Sequence, residues 1–425
     1  MTHDHFNVKL QCATALDAND SLALFRERFH LPTSNGIKKT YLCGQSLGLQ
    51  PKLAAKLLNE ELQKWQTHAV EGHFTGDRAW LSYHELLTPY LAELCGGLAE
   101  EVVAMNSLTV NLHLMLISFY RPTSSRFKVL IEASAFPSDR YAIVSQIRLH
   151  GHDPATALIE IAPRNGEDAV RTEDIAELLN REGASIATVM LPGVQYLTGQ
   201  VLDMQAIAQV AHLNGCTVGF DLAHAIGNVP LTLHDWNVDY AVWCSYKYLN
   251  SGPGSIAGCF VHQRHAREDL PRLTGWWGHD KESRFDMPEH FSPIAGAQGW
   301  QLSNPPIFAC APLLASLQVF HEAGMAQLRT KSLRLTGYLR FLLQAWMQNK
   351  LNIITPTNQD AHGCQLSIRL GTSVSAAKHI HQQLIDKNFM IDWRAPDIIR
   401  VAPVPLYNRF DEVWNFAHTL RELLS

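Results

Sequence analysis

The chain has 425 residues, 46% of them hydrophobic and 18% charged, with a formal net charge of −5. That length buries a large core in two or three domains, or in one large domain with a smaller companion. The low charged fraction excludes a disordered chain; the mildly acidic balance gives no polybasic footprint for nucleic acid or anionic lipid; and no run of about 18 apolar residues offers a membrane span.

The opening stretch MTHDHFNVKLQCATALDAND lacks a basic region followed by an apolar one, so no secretory signal is expected. Residues 51–66, PKLAAKLLNEELQKWQ, begin with proline at a helix start and set Ala54, Leu58, Leu62 and Trp65 on one face. From about residue 100, short apolar runs alternate with helical stretches. FKVLIE (127–132), ALIEIAP (157–163), IATVMLPGV (186–194), CTVGFDLAH (216–224), YAVWCS (240–245) and IAGCFVH (256–262) read as strands. TEDIAELLNREG and DMQAIAQVAHLNG read as helices ending in glycine. This alternation predicts βαβ units and a mostly parallel sheet.

After about residue 310 a long helical region, APLLASLQVFHEAGMAQLRTKSLRLTGYLRFLLQAWMQ, leads to a smaller mixed section. Its expected strands are CQLSIRL (364–370), FMIDW (389–393) and IIRVAPV (398–404), closed by an amphipathic helix from Asp411. The expected division is an N-terminal segment (1–50) against the small domain or a dimer interface, a large α/β domain (51–310) and a small α+β domain (311–425). Eight dispersed cysteines form no CxxC pair, and several lie in apolar strand-like runs, which fits a reducing cytoplasm. His262 and His265 in VHQRHA read as a solvated turn, since no HExxH or Cys/His ligand grid accompanies them.

In open α/β sheets, ligands bind at the carboxyl ends of the strands. Asp221 ends CTVGFD, and Lys247 follows the next strand 26 residues later. A carboxylate and a lysine at neighbouring buried strand ends are costly unless a group lies between them. Pyridoxal phosphate (PLP) suits the gap. Its aldehyde takes a lysine, its pyridine nitrogen takes a carboxylate, and its phosphate takes hydroxyls and backbone N–H groups at a helix start. Ser107 and Thr109 in NSLTVNLHLML offer that start, and Phe136 in AFPSDRYA offers a ring face. Each piece has an ordinary reading alone: Asp221 as a helix cap, Lys247 as a solvated charge, Phe136 as core. Their combination favours the cofactor.

FDLAHAIGNVPLTLHDWNVDYAVWCSYKYLN, NSLTVNLHL, AFPSD, GWWGH, SNPP and RVAPVPLYN resemble blocks of the kynureninase family, in order from about Tyr41 to the C-terminal helix. The resemblance implies a fold-type-I PLP enzyme with a seven-stranded, mostly parallel sheet. It also implies a homodimer with active sites at the subunit interface, and cleavage of L-kynurenine or 3-hydroxy-L-kynurenine to the anthranilate and L-alanine. It assigns the covalent link to Lys247 and the pyridine nitrogen to Asp221. Ser138, Asp139 and His224 fall beside the cofactor, Phe136 on its ring, and Leu108, Thr109 and Tyr246 around its phosphate. Tyr246 stands either as a proton relay or as a phosphate ligand only. Trp276 and Asn304 are expected from the partner subunit, Arg400 at the substrate carboxylate and His73 near the substrate ring. The chain departs from relatives at Pro192, where some carry a hydroxyl residue, and at Gln45, where asparagine is common. A cysteine desulfurase or aminotransferase is the nearest rival. A non-catalytic binder of the same fold is less compatible with Lys247, Asp221 and Arg400 together, and a P-loop reading of NSGPGSIAG fails for want of a following GK[ST].

Overall fold

In the computed structural model, which describes residues 6–425, the alternating runs build one seven-stranded sheet. Its strands are β1 (Val102–Ala104), β2 (Lys128–Glu132), β3 (Leu158–Ile161), β4 (Ile186–Pro192), β5 (Thr217–Asp221), β6 (Tyr240–Trp243) and β7 (Gly258–Val261). The order is β1-β7-β6-β5-β4-β2-β3. β7 runs antiparallel to both neighbours and the other pairings are parallel. Both faces are covered. Val218, Phe220 and Ala241 pack into one apolar cluster, while Val129, Met190 and Val242 pack into another. Burial on both faces is why these strands read as unbroken apolar runs rather than alternating ones. The β1 strand is only three residues long and escapes periodicity reading.

The helix at 51–66 forms over Lys52–His68, with Pro51 as its cap residue, but its buried face differs from the expected one. Ala54, Leu57 and Glu61 face the core, whereas Leu62 and Trp65 are 42% and 60% exposed. Glu61 turns inward because it accepts from Arg78 Nε at 3.0 Å and from the Trp80 indole at 2.8 Å. A carboxylate so satisfied replaces an aliphatic residue on the core face. The helices Thr172–Glu182 and Met204–Leu213 form as expected, the second capped by Asp203, which accepts from Ala206 N.

The long helical region is two helices, Ile307–Ala323 and Met325–Met347, bent by 82° at Gly324. Gly324 has φ +72°, a conformation that ends a helix and that glycine adopts without penalty. Among the described residues no single helix is long and apolar enough to cross a membrane. The C-terminal part forms a four-stranded antiparallel sheet of β8 (Leu351–Ile353), β9 (Leu366–Leu370), β10 (Asp392–Arg394) and β11 (Ile398–Val401), in the order β8-β9-β11-β10. β8 is the strand that the sequence reading lacks. The FMIDW run splits: Phe389–Met390 leaves this sheet and pairs with Thr40–Tyr41. The N-terminal segment, described from residue 6, lies on this part of the chain. Asp17 accepts from the N–H groups of Phe410 and Asp411, at the start of the helix Phe410–Leu423.

VHQRHA is not a solvated turn. His262 and His265 are 7% and 8% exposed and belong to polar networks at the far end of β6. Asp239, the residue before β6, accepts from Val218 N (2.7 Å), His212 (2.8 Å), His265 (2.8 Å) and Arg264 (2.6 Å). Burial pushes its carboxyl up, but the hydrogen bonds from His212 and His265 and the Arg264 charge outweigh this and hold it well below the usual range. A carboxyl lowered by folding contributes stability above its unfolded pKa and loses it as the pH falls. Asp239→Asn is expected to destabilise the protein by about 3 kcal/mol at neutral pH, the low end for breaking a buried ion pair, with the deficit shrinking below about pH 4. Urea melts of both proteins across that range check this.

Candidate active site

The register Pro192↔Asp221↔Val242 sets the carboxyl ends of β4, β5 and β6 side by side. The chain after β2 crosses outward to β3, whereas the chain after β4 proceeds to β5 on the other side. The crevice between the ends of β2 and β4 is therefore a topological switch point, the usual seat of a ligand in such sheets. A cavity of about 540 Å³, partly open to solvent, lies there.

Ten of the residues singled out in the sequence line it: Leu108, Thr109, Phe136, Ser138, Asp139, Pro192, Asp221, His224, Tyr246 and Lys247. Lys247 sits on a turn after β6 in which Asn250 N and Ser251 N bond back to Lys247 O and Ser245 O. The N-terminal segment braces this turn from behind. Gly48 N donates to Tyr246 O at 2.8 Å, and a side chain at Gly48 would strike Lys247 O and Asn250 at 2.3 Å. Lys247 Nζ reaches His224 Nε2 at 3.2 Å and lies 5.8 Å from the ring centres of both Phe136 and Tyr246.

The acids of the cavity are arranged unequally. Asp221 is 8% exposed and accepts from Ala223 N at 2.6 Å. Burial pushes its carboxyl up, while Lys247, the Ala223 N–H and a hydrogen bond from Asp139 oppose that. Burial raises Asp139 further, and the neighbouring Asp221 charge adds to it. The shared proton therefore rests on Asp139, which donates to an ionised Asp221. His224 is held neutral, since burial and then the Lys247 charge push its imidazole well below the usual range. Its buried Nδ1 has no partner among the described protein groups. Burial raises the Tyr246 phenol, which stays a proton donor.

This donor set fits PLP. The cavity offers an amine for the aldehyde, an ionised carboxylate for the ring nitrogen, and the Phe136 face with small Ala223 in the same lining. For the phosphate it offers the start of the helix Leu108–Phe119. The first intrahelical bond there runs from Asn111 N to Ser107 O, so the N–H groups of Leu108, Thr109 and Val110 have no intrahelical partner. His224 Nδ1 adds a buried polar group still in need of a partner.

Five expected residues stand outside the cavity lining of this chain, the first of them Ser107, which is the exposed N-cap of the helix Leu108–Phe119. Trp276 is 42% exposed, donates to Arg284 O at 3.1 Å and lies edge-on to Phe285. Asn304 is exposed on the turn before the helix Ile307–Ala323. His73 packs edge-on against Trp80 at 5.3 Å. Arg400, only 1% exposed, is adjacent to the cavity through Nη1, which donates to the carbonyl of the lining residue Tyr196. It already holds one carboxylate, Asp392, and Nη2 donates to Ser46 Oγ at 3.4 Å. The carboxylate partner that a buried arginine demands is thus present within the chain. Gln45 is fully buried, and neither amide atom has a protein partner among the described residues. Glu132, Val194, Tyr196 and Ala223 complete the lining without a signal in the sequence reading. Glu132 alone had a usable cue, as the last residue of an apolar strand.

Residues 328–420 match the family model described as the kynureninase C-terminal domain. The chain is 53% identical over 413 residues to a kynureninase of Koribacter versatilis (strain Ellin345), with 97% of each chain covered. It is 54% identical over 410 residues to a kynureninase of Myxococcus xanthus (strain DK1622), with 96% of each covered. Among solved structures, its fold is similar to a C-DES mutant with glycine covalently linked to the PLP cofactor (TM-score 0.75, 18% identity, 91% of this chain and 96% of that one). It is similar too to the cysteine desulfurase CsdA from Escherichia coli (TM-score 0.75, 16% identity, 95% and 98% covered).

Proposed function

Because the chain belongs to the kynureninase family, as a PLP-dependent hydrolase that cleaves L-kynurenine to anthranilate and L-alanine, we propose that the cavity at the ends of β2, β4, β5 and β6 is where it does so. PLP supplies an aldehyde that condenses with amines and a ring that accepts the electrons left when a bond to the substrate's α-carbon breaks. The chain's residues do the rest. Lys247 Nζ carries the cofactor and, once freed by the substrate amine, takes and returns the α-proton. Asp221 holds a proton at the pyridine nitrogen. Asp139, protonated, keeps Asp221 aimed there. Phe136 covers the ring face, while Leu108, Thr109 and Ser138 hold the phosphate end. Tyr246 relays a proton or simply binds phosphate; its raised phenol suits the donor role in both.

Arg400 is the group for the substrate carboxylate, with the Asp392 pairing setting its orientation. Trp276, Asn304 and His73 lie outside this chain's cavity, which accords with a homodimer in which Trp276 and Asn304 serve the partner's site. His73 with Asn304 suits the 3-hydroxylated substrate. The division at about residues 50 and 310 is our reading of the domains, and eight unpaired cysteines favour a reducing cytoplasm.

The observation that carries this reading is the single lysine amine in a lining that also holds the Asp221 carboxyl, buried at the end of the neighbouring strand β5. The desulfurase alternative needs an activated thiol. Burial instead pushes Cys43, near Arg400, and Cys244, near Lys247, up to about 11 each. Purified protein loaded with PLP is expected to release anthranilate and alanine in equal amounts from L-kynurenine and no sulfide from L-cysteine. Sulfide release without anthranilate would refute it.

A further inference from the structure

Glu132, the last residue of β2, is 5% exposed and lines the active-site cavity. It also lines a second cavity of about 590 Å³ on the other side. The outer wall of that second cavity contains the Asp168–Arg369 ion pair, 2.7 Å long, whose side chains are 29% and 38% exposed. Glu132 thus stands in the partition between the reaction chamber and a solvent-facing space. We propose that Glu132 is the proton exit of the active site, taking one proton per turnover on the cavity side and giving it up to solvent in the second cavity.

The inference rests on the proposed function, because the proton comes from that reaction. Kynurenine and water give anthranilic acid and alanine. The Cβ–Cγ bond breaks, the water oxygen goes to the acyl carbon, one water hydrogen ends on the β-carbon, and the other sits on the new carboxyl. No electrons are gained or lost. An aromatic carboxylic acid ionises at neutral pH. One proton per turnover must therefore leave a chamber whose other acids are committed: Asp221 is the ionised partner and Asp139 already holds a proton.

The surroundings of Glu132 suit a group that cycles between two protonation states. Gln195 Nε2 donates to Glu132 Oε1 at 3.4 Å. The amide cannot turn over, because its oxygen accepts from Leu197 N (2.6 Å), Thr198 N (2.8 Å) and Thr198 Oγ1 (3.3 Å). A fixed N–H donor bonds a carboxylate and the carbonyl of a carboxylic acid alike. Burial pushes the Glu132 carboxyl up to about 7, the Gln195 bond opposes this and the Asp221 charge adds to it. A pKa near the working pH is what proton exchange requires. On the chamber side the titratable groups are Asp139, Tyr196, Asp221, His224, Tyr246 and Lys247; on the outer side they are Glu167, Asp168 and Arg369. Each outer acid is ion-paired with an arginine at the surface, Asp168 with Arg369 and Glu167 with Arg171, so the second cavity opens on charged, solvated groups.

Three measurements on Glu132→Gln test this. A potentiometric difference titration of the cofactor-free proteins is expected to show one proton fewer in the variant, with a midpoint near 7. In the loaded enzyme, the wild-type kcat is expected to rise through a limb near pH 7. The variant loses that limb, and its kcat at pH 8 is about tenfold lower, a smaller loss than the 100-fold or more of a group acting on reacting atoms. Imidazole, a small diffusible base, should restore its rate in proportion to concentration. Glu132→Asp, which keeps the carboxyl, should keep the limb. An unchanged limb in Glu132→Gln, or a slow variant that imidazole does not rescue, overturns the proton exit while leaving the proposed function intact. A wild-type protein without kynurenine cleavage overturns both.

Discussion

Lys247→Ala is expected to lower kynurenine turnover by about 10,000-fold or more, the upper range for losing a positioned proton-transfer group that is also the covalent anchor. The cavity lining contains no other lysine to take over. Its amine is held by His224 Nε2 at 3.2 Å in front of the Phe136 ring, and the turn that carries it is pinned through Tyr246 O to Gly48. Lys247→Arg separates charge from chemistry: guanidinium keeps the positive charge beside Asp221 but remains protonated and forms no covalent link under these conditions. Both variants should therefore be inactive, although Lys247→Arg should fold as the parent does. Anthranilate release, followed by its fluorescence, is the readout. Activity in either variant near the parental level would remove Lys247 from the chemistry.

Asp221→Asn is the second large effect, with kcat about 100- to 1,000-fold lower, the size of one preorganised electrostatic contact aimed at developing charge. The substitution is close to isosteric, and the Ala223 N–H that binds Asp221 can still bond to an amide oxygen. What disappears is the negative charge that keeps a proton on the ring nitrogen. Asp139 is a poor substitute, since burial, the largest cause of its raised carboxyl, persists in the variant. In Asp221→Asn the loss of the Asp221 charge lets Asp139 ionise more readily, so Asp139→Asn added to Asp221→Asn should cost more than Asp139→Asn costs in the parent. Stopped-flow absorbance of the bound cofactor and steady-state anthranilate release check the two parts separately.

The parts of this site that are legible in the sequence are those whose residue type is dear to bury. Asp221 and Lys247 end apolar runs, and a charge at the end of a buried strand demands a partner. The central strands of the large sheet are legible for the same energetic reason, since a strand covered on both faces is mostly apolar, whereas the edge strand Leu158–Ile161 is only partly buried and carries the exposed Glu160. The three-residue strands Val102–Ala104 and Leu351–Ile353 are too short to show a period, and the antiparallel course of β7 depends on pairing that no local pattern encodes. Glu61 illustrates a different limit. Its helix face looks mispatterned until Arg78 and Trp80, well separated from it in sequence, arrive to satisfy the carboxylate. The bend at Gly324 is written in the sequence as one glycine within an otherwise helical run, and only its φ of +72° turns that residue into a break. Glu132 combines both cases: a strand-end acid is visible, but its position between two cavities follows from the crossover order of β2, β4 and β3.

Arg400 shows how a structure sharpens a carboxylate-binding expectation. The guanidinium is buried and already paired with Asp392, so a substrate carboxylate would meet a cation whose position is set but whose fork is partly occupied. In the proposed site Asp392 would then position Arg400, as Asp139 would position Asp221.

The central claim is that one lysine at the end of β6 carries the cofactor. Reducing the PLP-loaded protein with borohydride, digesting it and mapping the pyridoxyl mass increment by mass spectrometry tests this directly. A single labelled peptide containing Lys247 is the expected result; label on a different lysine, or a loaded protein with no covalent label, would contradict it.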